Sequence, residues 1–469
     1  MTEDKRLIKE CREAWDSLGW FRRRRRRCKD FAYGRQWGDT VRLPSGRIVS
    51  EERHMIESGR MPVTNNLIGR MIKQMVGYYR HMTAGDGGGD GGGDGGVRLA
   101  GRFDALGEAD ARGLEEFLIS GMALQRVKRH GEEWLPGGDV SNRSPERVFF
   151  RRFADADAAD VRFVGLLHDI PLSLLVERFG GRDPERVGRI VESWRKGGAP
   201  GMPCVAGEVS FSEPDIPDLC RVVEVWRRRL VGVMRVYDCE SGEYAEGEYS
   251  GEAEERLRRI NAAREAEGRR PLMDNVRQDE RWEQTWMLAD GCVLGRGLGA
   301  PGEPLPLVMR LYPMVDGEVH SMVETVIDQQ KFVNRLVGLL DEILGASAKG
   351  AVLYPVDQLP DGMTWKELRR LWSSPSAILP FKRTSKSIQP RQLSGGGGCA
   401  GATELLKTQL SLFDDISGSG GIFSDGGRQA AGADMARLQR DGAAIAMLDI
   451  LSAFREFTGR RDRILGIRI

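Results

Sequence analysis

The sequence predicts an α+β protein in which long helices are combined with a smaller β-rich module. The first observation is residues 319–344, where apolar side chains recur every three or four positions, as on one face of a helix. The second is residues 219–248, which alternate between apolar and polar side chains, as in a half-buried strand. The third is the length of 469 residues, which is enough for a large core and more than one domain.

The overall composition limits the classes of partner. The chain has 70 basic and 69 acidic residues, so its net charge is +1, and binding to nucleic acid has to rest on local patches. No apolar run reaches the length of a membrane span, and the charged N-terminus does not resemble a signal peptide, so we expect no membrane partner. The seven cysteines are scattered, without a CxxC pair, which favours a reducing, cytoplasmic setting.

The N-terminal region begins with a predicted helix over residues 4–33 that contains six consecutive arginines, Arg22–Arg27. Six consecutive helical residues wrap the axis almost twice, so they cannot all face one phosphate backbone. We interpret the run as a solvated or subunit-facing surface, and direct contact with DNA is the alternative.

A second helix is predicted after Pro62, with Thr64 or Asn65 as its N-cap. The run GDGGGDGGGDGG at residues 85–96 follows it. Glycine is too flexible to order such a run by itself. The run lacks the apolar anchors of a calcium-binding β-helix and the Lys-Ser/Thr of a phosphate loop, so it predicts a flexible surface loop.

The middle of the chain mixes helices and strands. A helix that starts near residue 107 turns at Gly121, and two strands and two short helices follow it. Residues 197–218 are rich in Gly and Pro and predict a linker. From residue 219 to 310 the pattern is β-α-β, with a charged helix at 251–268 that suits either a solvated surface or a partner.

A long helical pattern covers residues 319–344. Ser321 and Glu324 have the spacing of a capping box, and Gly345 suits the position just past the helix end. The opposite face carries charged side chains from Glu324 to Glu342 and should meet water or a polar partner; an ordinary core helix is the alternative interpretation. The predicted apolar face comprises Val319, Met322, Val323, Val326, Ile327, Val333, Leu336, Val337, Leu340, Ile343 and Leu344.

Residues 346–381 predict strands around a short helix, and residues 382–401 predict a loop with basic residues and no acid. The basic side chains are Lys382, Arg383, Lys386 and Arg391. A helix over 402–416 and a long helical finish follow.

The sequence contains no recognisable catalytic constellation. The five histidines are scattered, without an HExxH pair, and there is no GxSxG elbow and no GxxxxGK[ST] loop. We therefore expect no metal, no cofactor and no enzymatic activity.

Four stretches, in this order, resemble the portal proteins of tailed bacteriophages, especially the short-tailed-phage type. The first is FAYGRQWG with the following RMPVTNN and MVGYYR segments, and the second is LEEFLISGMALQRVKR with the strands after it. The third is LYPMVDGEVHSMVETVIDQQKFVNRL, and the fourth is ISGSGGIFSDG with the C-terminal helices. The family pattern does not account for the 85–96 run, and many members continue beyond the point that corresponds to Ile469 into a crown or barrel.

The resemblance implies a portal fold with a mainly helical wing and stem and a small β-rich clip, assembled as a ring, commonly of twelve copies, at one capsid vertex. Double-stranded DNA would pass through the channel during packaging and ejection. The implied partners are the terminase large subunit, major capsid and scaffold proteins, and tail or neck adaptors. The implied location is the virion, with host cytoplasm during assembly.

The resemblance also implies a division of the chain. Residues 1–218 correspond to the wing, 219–310 to the clip with an adjoining stem segment, and 311–345 to the second stem helix. The remainder would be wing strands at 346–381, a tunnel loop at 382–401, and a wing-crossing helix with the start of the crown at 402–469.

The basic loop suits a DNA channel on physical grounds as well. Threading needs contacts that do not depend on sequence, and mobile basic side chains at a constriction supply them. We therefore expect Lys382, Arg383, Lys386 and Arg391 to face DNA, with an ordinary solvated loop as the alternative. Two other classes stay open: a capsid-associated or scaffold-like protein without a channel, and a nucleic-acid enzyme with a dispersed site.

Overall fold

The structure is a computed structural model. It describes residues 3–86, 94–151, 153–181, 183–197, 209–214, 216, 219–349, 351–373, 380, 382, 390–393, 398–418 and 433–466. The chain divides into two compact units. Unit 1 comprises Met1–Lys29, Ile72–Glu324 and Ala444–Ile469, and unit 2 comprises Asp30–Met71 and Thr325–Ala443.

Helices and strands both contribute to the fold, which agrees with the predicted α+β class. The helices are α1 Glu3–Ser17, α2 Gly19–Ala32, α3 Glu51–Glu57, α4 Leu67–Asp86, α5 Asp94–Ser120, α6 Leu172–Leu175, α7 Pro184–Gly197, α8 Gly251–Ala266, α9 Met322–Lys349, α10 Trp365–Ser373, α11 Gly398–Ser417 and α12 Ala433–Ile464. The strands are β1 Thr40–Arg42, β2 Ile48–Ser50, β3 Met122–Val127, β4 Val140–Asn142, β5 Val148–Phe150, β6 Phe163–Pro171, β7 Leu219–Tyr237, β8 Tyr244–Glu248, β9 Met273–Leu288, β10 Val293–Leu298, β11 Leu307–Leu311, β12 Met314–Val315, β13 Glu318–Val319, β14 Ala351–Leu353 and β15 Arg391–Leu393.

Unit 1 is built on a sheet of order β10-β9-β7-β6-β5, with β8 added to β7. The first half of β7 pairs with β6, from Leu219 opposite Pro171 to Arg227 opposite Phe163. Beyond Arg227 the strand continues with β9 and β8 as an arm. Strand β7 begins at Leu219, next to the predicted boundary at residue 218, and it serves both the sheet and the arm. The division of the chain at this boundary stays a prediction.

The remaining part of unit 1 packs helices against a second sheet of order β11-β3-β4. Aromatic side chains join the last helix, α12, to α4 and α5. The centre of the Phe454 ring lies 5.5 Å from that of Tyr79 in α4 and 5.8 Å from that of Phe117 in α5. Phe454 and Phe457 are completely buried. These contacts fix the C-terminal half of α12 to α4 and α5 within unit 1.

Unit 2 contains the β1–β2 hairpin with α3, the start of α4, most of α9, and the chain from β14 to α11. The strands β14 and β15 pair antiparallel, from Ala351 opposite Leu393 to Leu353 opposite Arg391. Helices α9 and α11 meet where the Gln329 amide donates to the backbone carbonyl of Gln409 at 3.0 Å.

Several predicted boundaries change. Helix α9 begins at Met322 and continues to Lys349, so Gly345 lies inside it, and Val319 belongs to β13 instead of the helix. The predicted helix 4–33 is broken at Leu18. The predicted loop 85–96 is helical at its two ends, in α4 and α5, while residues 87–93 lie outside the described part.

Candidate functional site

The start of α9 is fixed within unit 1 by the predicted serine cap. The Ser321 hydroxyl accepts a hydrogen bond from the Glu324 amide at 3.0 Å, which satisfies one free donor of the first turn. The Glu324 carboxylate accepts from the Arg24 guanidinium, with Nε at 2.9 Å. Val323 is completely buried in the same turn. The cap half of the predicted capping box is therefore confirmed.

In unit 2, α9 holds a buried amide side chain that caps another helix. Gln330 is fully buried, and its side-chain oxygen accepts from the amides of Leu67 and Ile68 at 2.8 and 3.2 Å. These amides belong to the first turn of α4, where backbone donors have no partner within the helix. The Gln330 amide nitrogen donates to the Asn65 carbonyl at 2.6 Å. The contact therefore sets the position of α9 against the start of α4.

Asn334 extends this network by one helical turn. It is 2% exposed, its oxygen accepts from the Asn65 amide at 3.0 Å, and its nitrogen donates to Gln36. Gln36 donates in turn to the Phe31 carbonyl at 3.1 Å. The predicted N-cap of α4 was misplaced by one or two residues, since Asn66 accepts from the amide three residues further along, at 2.9 Å.

The charged side of α9 meets carboxylates of the same unit. Lys331 lies 2.7 Å from Asp39 and 3.0 Å from Glu51, and Arg335 lies 2.5 Å from Glu51. Burial alone would raise the pKa of Glu51, but hydrogen bonds from Arg335 and Lys331 outweigh it and hold that pKa below its usual value. The polar partner expected for this face is thus largely the chain itself.

The predicted apolar residues of α9 fall into three groups. Val323, Val326, Ile327, Val333 and Leu336 are buried, as is Val319 in β13. Met322, Val337, Leu340 and Ile343 are half-buried. Leu344 is 54% exposed, and two apolar residues outside the predicted face, Phe332 and Leu339, are 41% and 46% exposed. The helix therefore keeps an uncovered apolar edge that the sequence pattern did not separate from the buried face.

The predicted DNA-facing loop is only partly described. Lys382 is half exposed and its ammonium lies 2.7 and 2.8 Å from the two carboxylate oxygens of Asp361, a partner that the sequence did not suggest. Arg391 lies in β15, so the loop ends before this residue. Arg383 and Lys386 lie outside the described residues.

The six-arginine run is partly buried within unit 1, and the interpretation as a solvated or subunit-facing surface is wrong for Arg22 and Arg25. Arg22 and Arg25 are 9% and 4% exposed. The Arg22 guanidinium lies 3.6 Å from the centre of the Trp15 ring, a cation–π contact. Arg25 lies 2.6 Å from Glu116 and 2.8 Å from Glu146. Only part of the run, such as Arg23, faces outward.

A buried ionic network joins the main sheet of unit 1 to Arg126 in β3 of the second sheet, and sequence analysis did not find it. Arg126 lies 2.8 Å from Glu224 and 2.9 Å from Glu132, and His168 Nε2 lies 2.8 Å from Glu224. Burial lowers the pKa of His168 despite its contact with Glu224. Burial would raise the pKa of Glu224, but Arg126 and His168 hold it far below its usual value.

Two kinds of site, metal-ligand clusters and membrane-spanning helices, are absent from the described part of the chain. Within it, no group of three or more His, Cys, Asp or Glu side chains is arranged to hold a metal ion. None of its helices is long and apolar enough to cross a membrane. In the buried ionic network, Arg126 and Glu224 are 1% and 0% exposed.

Comparison with known proteins gives one family. A family model described as Phage P22-like portal protein matches residues 108–461, which is more than half of the chain and includes the main sheet, the arm, α9 and most of α12. A search of curated proteins finds no match. The expectation drawn from the four stretches is confirmed: the chain belongs to the phage P22-like portal protein family.

Proposed function

We propose that copies of this chain assemble into a closed ring of twelve at one capsid vertex, where double-stranded DNA passes through the central channel during packaging and ejection. The observation that carries the proposal is the family match over residues 108–461. The terminase large subunit would dock on the ring during packaging, and tail or neck adaptors would follow. Capsid and scaffold proteins would surround it. The ring would reside in the virion after assembly in the host cytoplasm.

Two features of the structure support a ring. Helix α9 is a rod of 28 residues, about 42 Å at 1.5 Å per residue, and it is anchored by both polar and apolar contacts. It also leaves an apolar edge that a neighbouring copy would cover. Cyclic assembly needs two different surfaces that fit each other.

We further propose a division into portal domains that follows the sheet. The first half of β7, from Leu219 to Arg227, pairs with β6. It would belong to the wing, together with residues 1–218. The arm, which consists of α8 and the parts of β7, β8 and β9 beyond the pairing with β6, would be the clip. Helix α9 would be the stem helix, and the last helices would cross the wing and begin the crown.

The ring is tested by electron microscopy of the purified protein, with native mass spectrometry to count its copies. We expect a closed ring with a hole of at least 20 Å, roughly the width of a duplex whose major groove is about 12 Å wide. A protein that remains monomeric with scaffold and capsid proteins present would contradict the proposal. A capsid-bound assembly without a hole would favour a structural protein that has no channel.

The tunnel-loop assignment is a separate proposal. Lys382, Arg383, Lys386 and Arg391 would face DNA at the constriction, and Asp361 would moderate the charge of Lys382. Changing all four to Gln should reduce DNA packaging while ring assembly is retained, because phosphate contacts contribute without reading sequence. Changing Lys366, Arg369 and Arg370 of α10 to Gln provides a control with a similar loss of charge. Normal packaging by the loop variant would show an ordinary solvated loop.

A further inference from the structure

A short hairpin projects from unit 1 just before α9. Its strands β12 and β13 pair Met314 with Val319 and Val315 with Glu318. Both turn residues have positive φ, +53° at Asp316 and +82° at Gly317, as a type I′ turn requires. Val315 is 66% exposed and the Glu318 side chain is 71% exposed. The tip therefore presents an apolar side chain beside a carboxylate.

The base of this hairpin is held firmly. Val319 is 5% exposed and belongs to the buried core of unit 1, against which Met314 also packs. The Tyr312 amide donates to the Gly121 carbonyl at 2.9 Å. A Cβ on Gly121 would come within 2.6 Å of Val319 Cγ1, which shows how closely the two segments approach. The tip is therefore preorganised, and binding would cost little ordering of the chain.

Unit 1 also contains an open groove with a volume of about 360 Å³. Its apolar lining includes Val161, Leu305 and Ile464, and its basic lining includes Arg228, Arg460 and Arg463. Asp157, the carboxylate in the lining, is already paired with Arg310 and Arg460. Among the described residues, neither Arg228 nor Arg463 is paired with a carboxylate. The groove thus combines an apolar floor with uncompensated positive charge.

A second observation in the groove is a buried donor without an acceptor. Trp282 lines the groove and is 3% exposed, and its indole N–H has no hydrogen-bond partner among the described residues. The Arg228 guanidinium lies 4.4 Å from the centre of the same ring. Buried donors are nearly always satisfied in folded proteins, so the groove is a place where an added acceptor would be favourable.

We propose that the hairpin tip of one copy docks in this groove of a second copy, with Glu318 facing Arg463 and Arg228 and Val315 on the apolar floor. The inference rests on the proposed ring, since it supplies one contact between neighbours. The groove is lined by residues from Pro304 to Met309, and the hairpin begins at Met314, after the end of β11. They are different surfaces with complementary charge, as a head-to-tail interface requires. The apolar floor makes nucleic acid a poorer occupant than a protein segment.

Charge reversal tests the docking. Arg463→Glu and Glu318→Arg each replace an attraction by a repulsion, so each is expected to weaken self-association by about tenfold or more. The double variant restores the pair and should recover most of the association. Both side chains are exposed, so thermal unfolding should stay unchanged. Arg6→Glu and Glu13→Arg, on exposed positions of α1, are the matched controls, and native mass spectrometry gives the distribution of copies.

The outcomes separate this inference from the ring itself. A ring that forms normally in both single variants overturns the docking and leaves the proposed function standing. Single variants that lose association without recovery in the double variant overturn the pairing of these two side chains. If Arg463→Glu lowers DNA binding while assembly is unaffected, nucleic acid is the occupant and the inference fails. If the wild-type chain never self-associates, both proposals fail.

Photo-crosslinking gives a readout that does not depend on affinity. A benzoylphenylalanine at position 315 should yield a two-chain product whose crosslinked peptide contains residues 304–309 or 460–464. The same group at position 244, which is 72% exposed in wild type, is the control and should not reach that peptide. Crosslinks from position 315 that avoid both groove segments in an assembled ring would overturn the proposal.

Discussion

At the residue scale, the unexpected feature is how many polar side chains of this chain are used inside the fold. Gln330 and Asn334 lie in α9, where the sequence pattern predicts an apolar buried face. Each amide side chain is almost completely buried, and each forms hydrogen bonds within the fold. The i, i+4 spacing of the two amides was visible in the sequence. Their partners were not, because Gln36 and Asn65 lie about 270 to 300 residues away along the chain.

The roles of the basic residues were also hard to predict, because their partners are distant along the chain. The run Arg22–Arg27 predicts a solvated or subunit-facing surface, and Lys382 is expected to face DNA. The structure gives Arg25 and Lys382 each a carboxylate partner that only the fold brings near. A run of like charges predicts an exposed surface when its partners are unknown. In this chain, Glu116 and Glu146 are distant in sequence, and burial with them makes Arg25 a structural residue.

The buried ionic network makes stability depend on pH, and the sign follows from the pKa shifts. The pKa of His168 is lowered from its ordinary 6.5 by burial, so the unfolded chain takes up a proton first as pH falls. The pKa of Glu224 is lowered from its ordinary 4.5, so its stabilisation is lost at still lower pH. Unit 1 should therefore lose stability as pH falls below about 6.5, and again below about 4.5.

Thermal unfolding between pH 7.5 and 4 measures this dependence. His168→Gln removes one titrating group, so the slope between pH 6.5 and 5 should become shallower while the loss below pH 4.5 persists. His130→Gln is the control, since its side chain is fully exposed. An unchanged slope in the His168 variant would show that the network does not govern the pH dependence.

At the element scale, the existence of α9 followed from its apolar period and its start from the Ser321 cap, but the assignment of Val319 and the C-terminal end did not follow from the sequence. Val319 fits the helical spacing and is buried, yet it lies in β13, where alternation also turns it inward. Gly345 suits a helix end, but nothing in the local sequence forces the backbone to leave the helix there. Periodicity reports which side is buried, and the ends depend on caps and on tertiary contacts.

Helix α4 offers a matched pair of glycines. In unit 2, a Cβ on Gly69 would lie 2.9 Å from the Ala32 carbonyl oxygen and 2.6 Å from the Asn66 side chain, so the backbone of α2 would have to move. A Cβ on Gly77 meets nothing within 4 Å. Gly69→Ala should therefore lower the free energy of unfolding by about 1–3 kcal/mol, whereas Gly77→Ala should raise it by about 0.5–1 kcal/mol through helix propensity.

Urea unfolding followed by helical circular dichroism distinguishes the two variants. Opposite shifts of the midpoint are expected, and the Gly69 variant should also show faster amide exchange at Leu67 and Ile68. Equal and small shifts of the urea midpoint in the two variants would mean that the end of α2 moves easily. The close approach of Gly69 to Ala32 would then not determine the position of α4.

At the scale of the whole molecule, the order of elements in unit 1 could be predicted only in part. The strands after residue 219 were expected to form a module of their own, since composition changes there. Strand β7 instead runs through both the main sheet and the arm. Strands β6 and β7 are far apart along the chain, so their pairing depends on non-local contacts. Alternation with a period of two residues predicts that a segment is a strand, but it does not predict which strand pairs with it.

Apolar side chains left uncovered in unit 2 give the last prediction. Phe332 and Leu339 lie seven residues apart, on one face of α9, and are 41% and 46% exposed. Leu405, Leu412 and Ile416 form a similar stripe on α11, each more than 40% exposed. A stable monomer rarely exposes contiguous apolar stripes of this kind. Assembly into a ring would bury them and supply part of its driving force.

Phe332→Asp with Leu339→Asp should therefore prevent assembly while the chain stays folded, because the changed side chains are exposed in the single copy. Light scattering measures the mass, and circular dichroism checks the helical content. Asp328→Asn, on an exposed polar position of α9, is the control and should assemble normally. Charged side chains buried without partners at the centre of an apolar interface cost several kcal/mol. Rings formed by the double Asp variant would therefore contradict the expectation. They would mean that this face of the stem helix is exposed to solvent in the assembly.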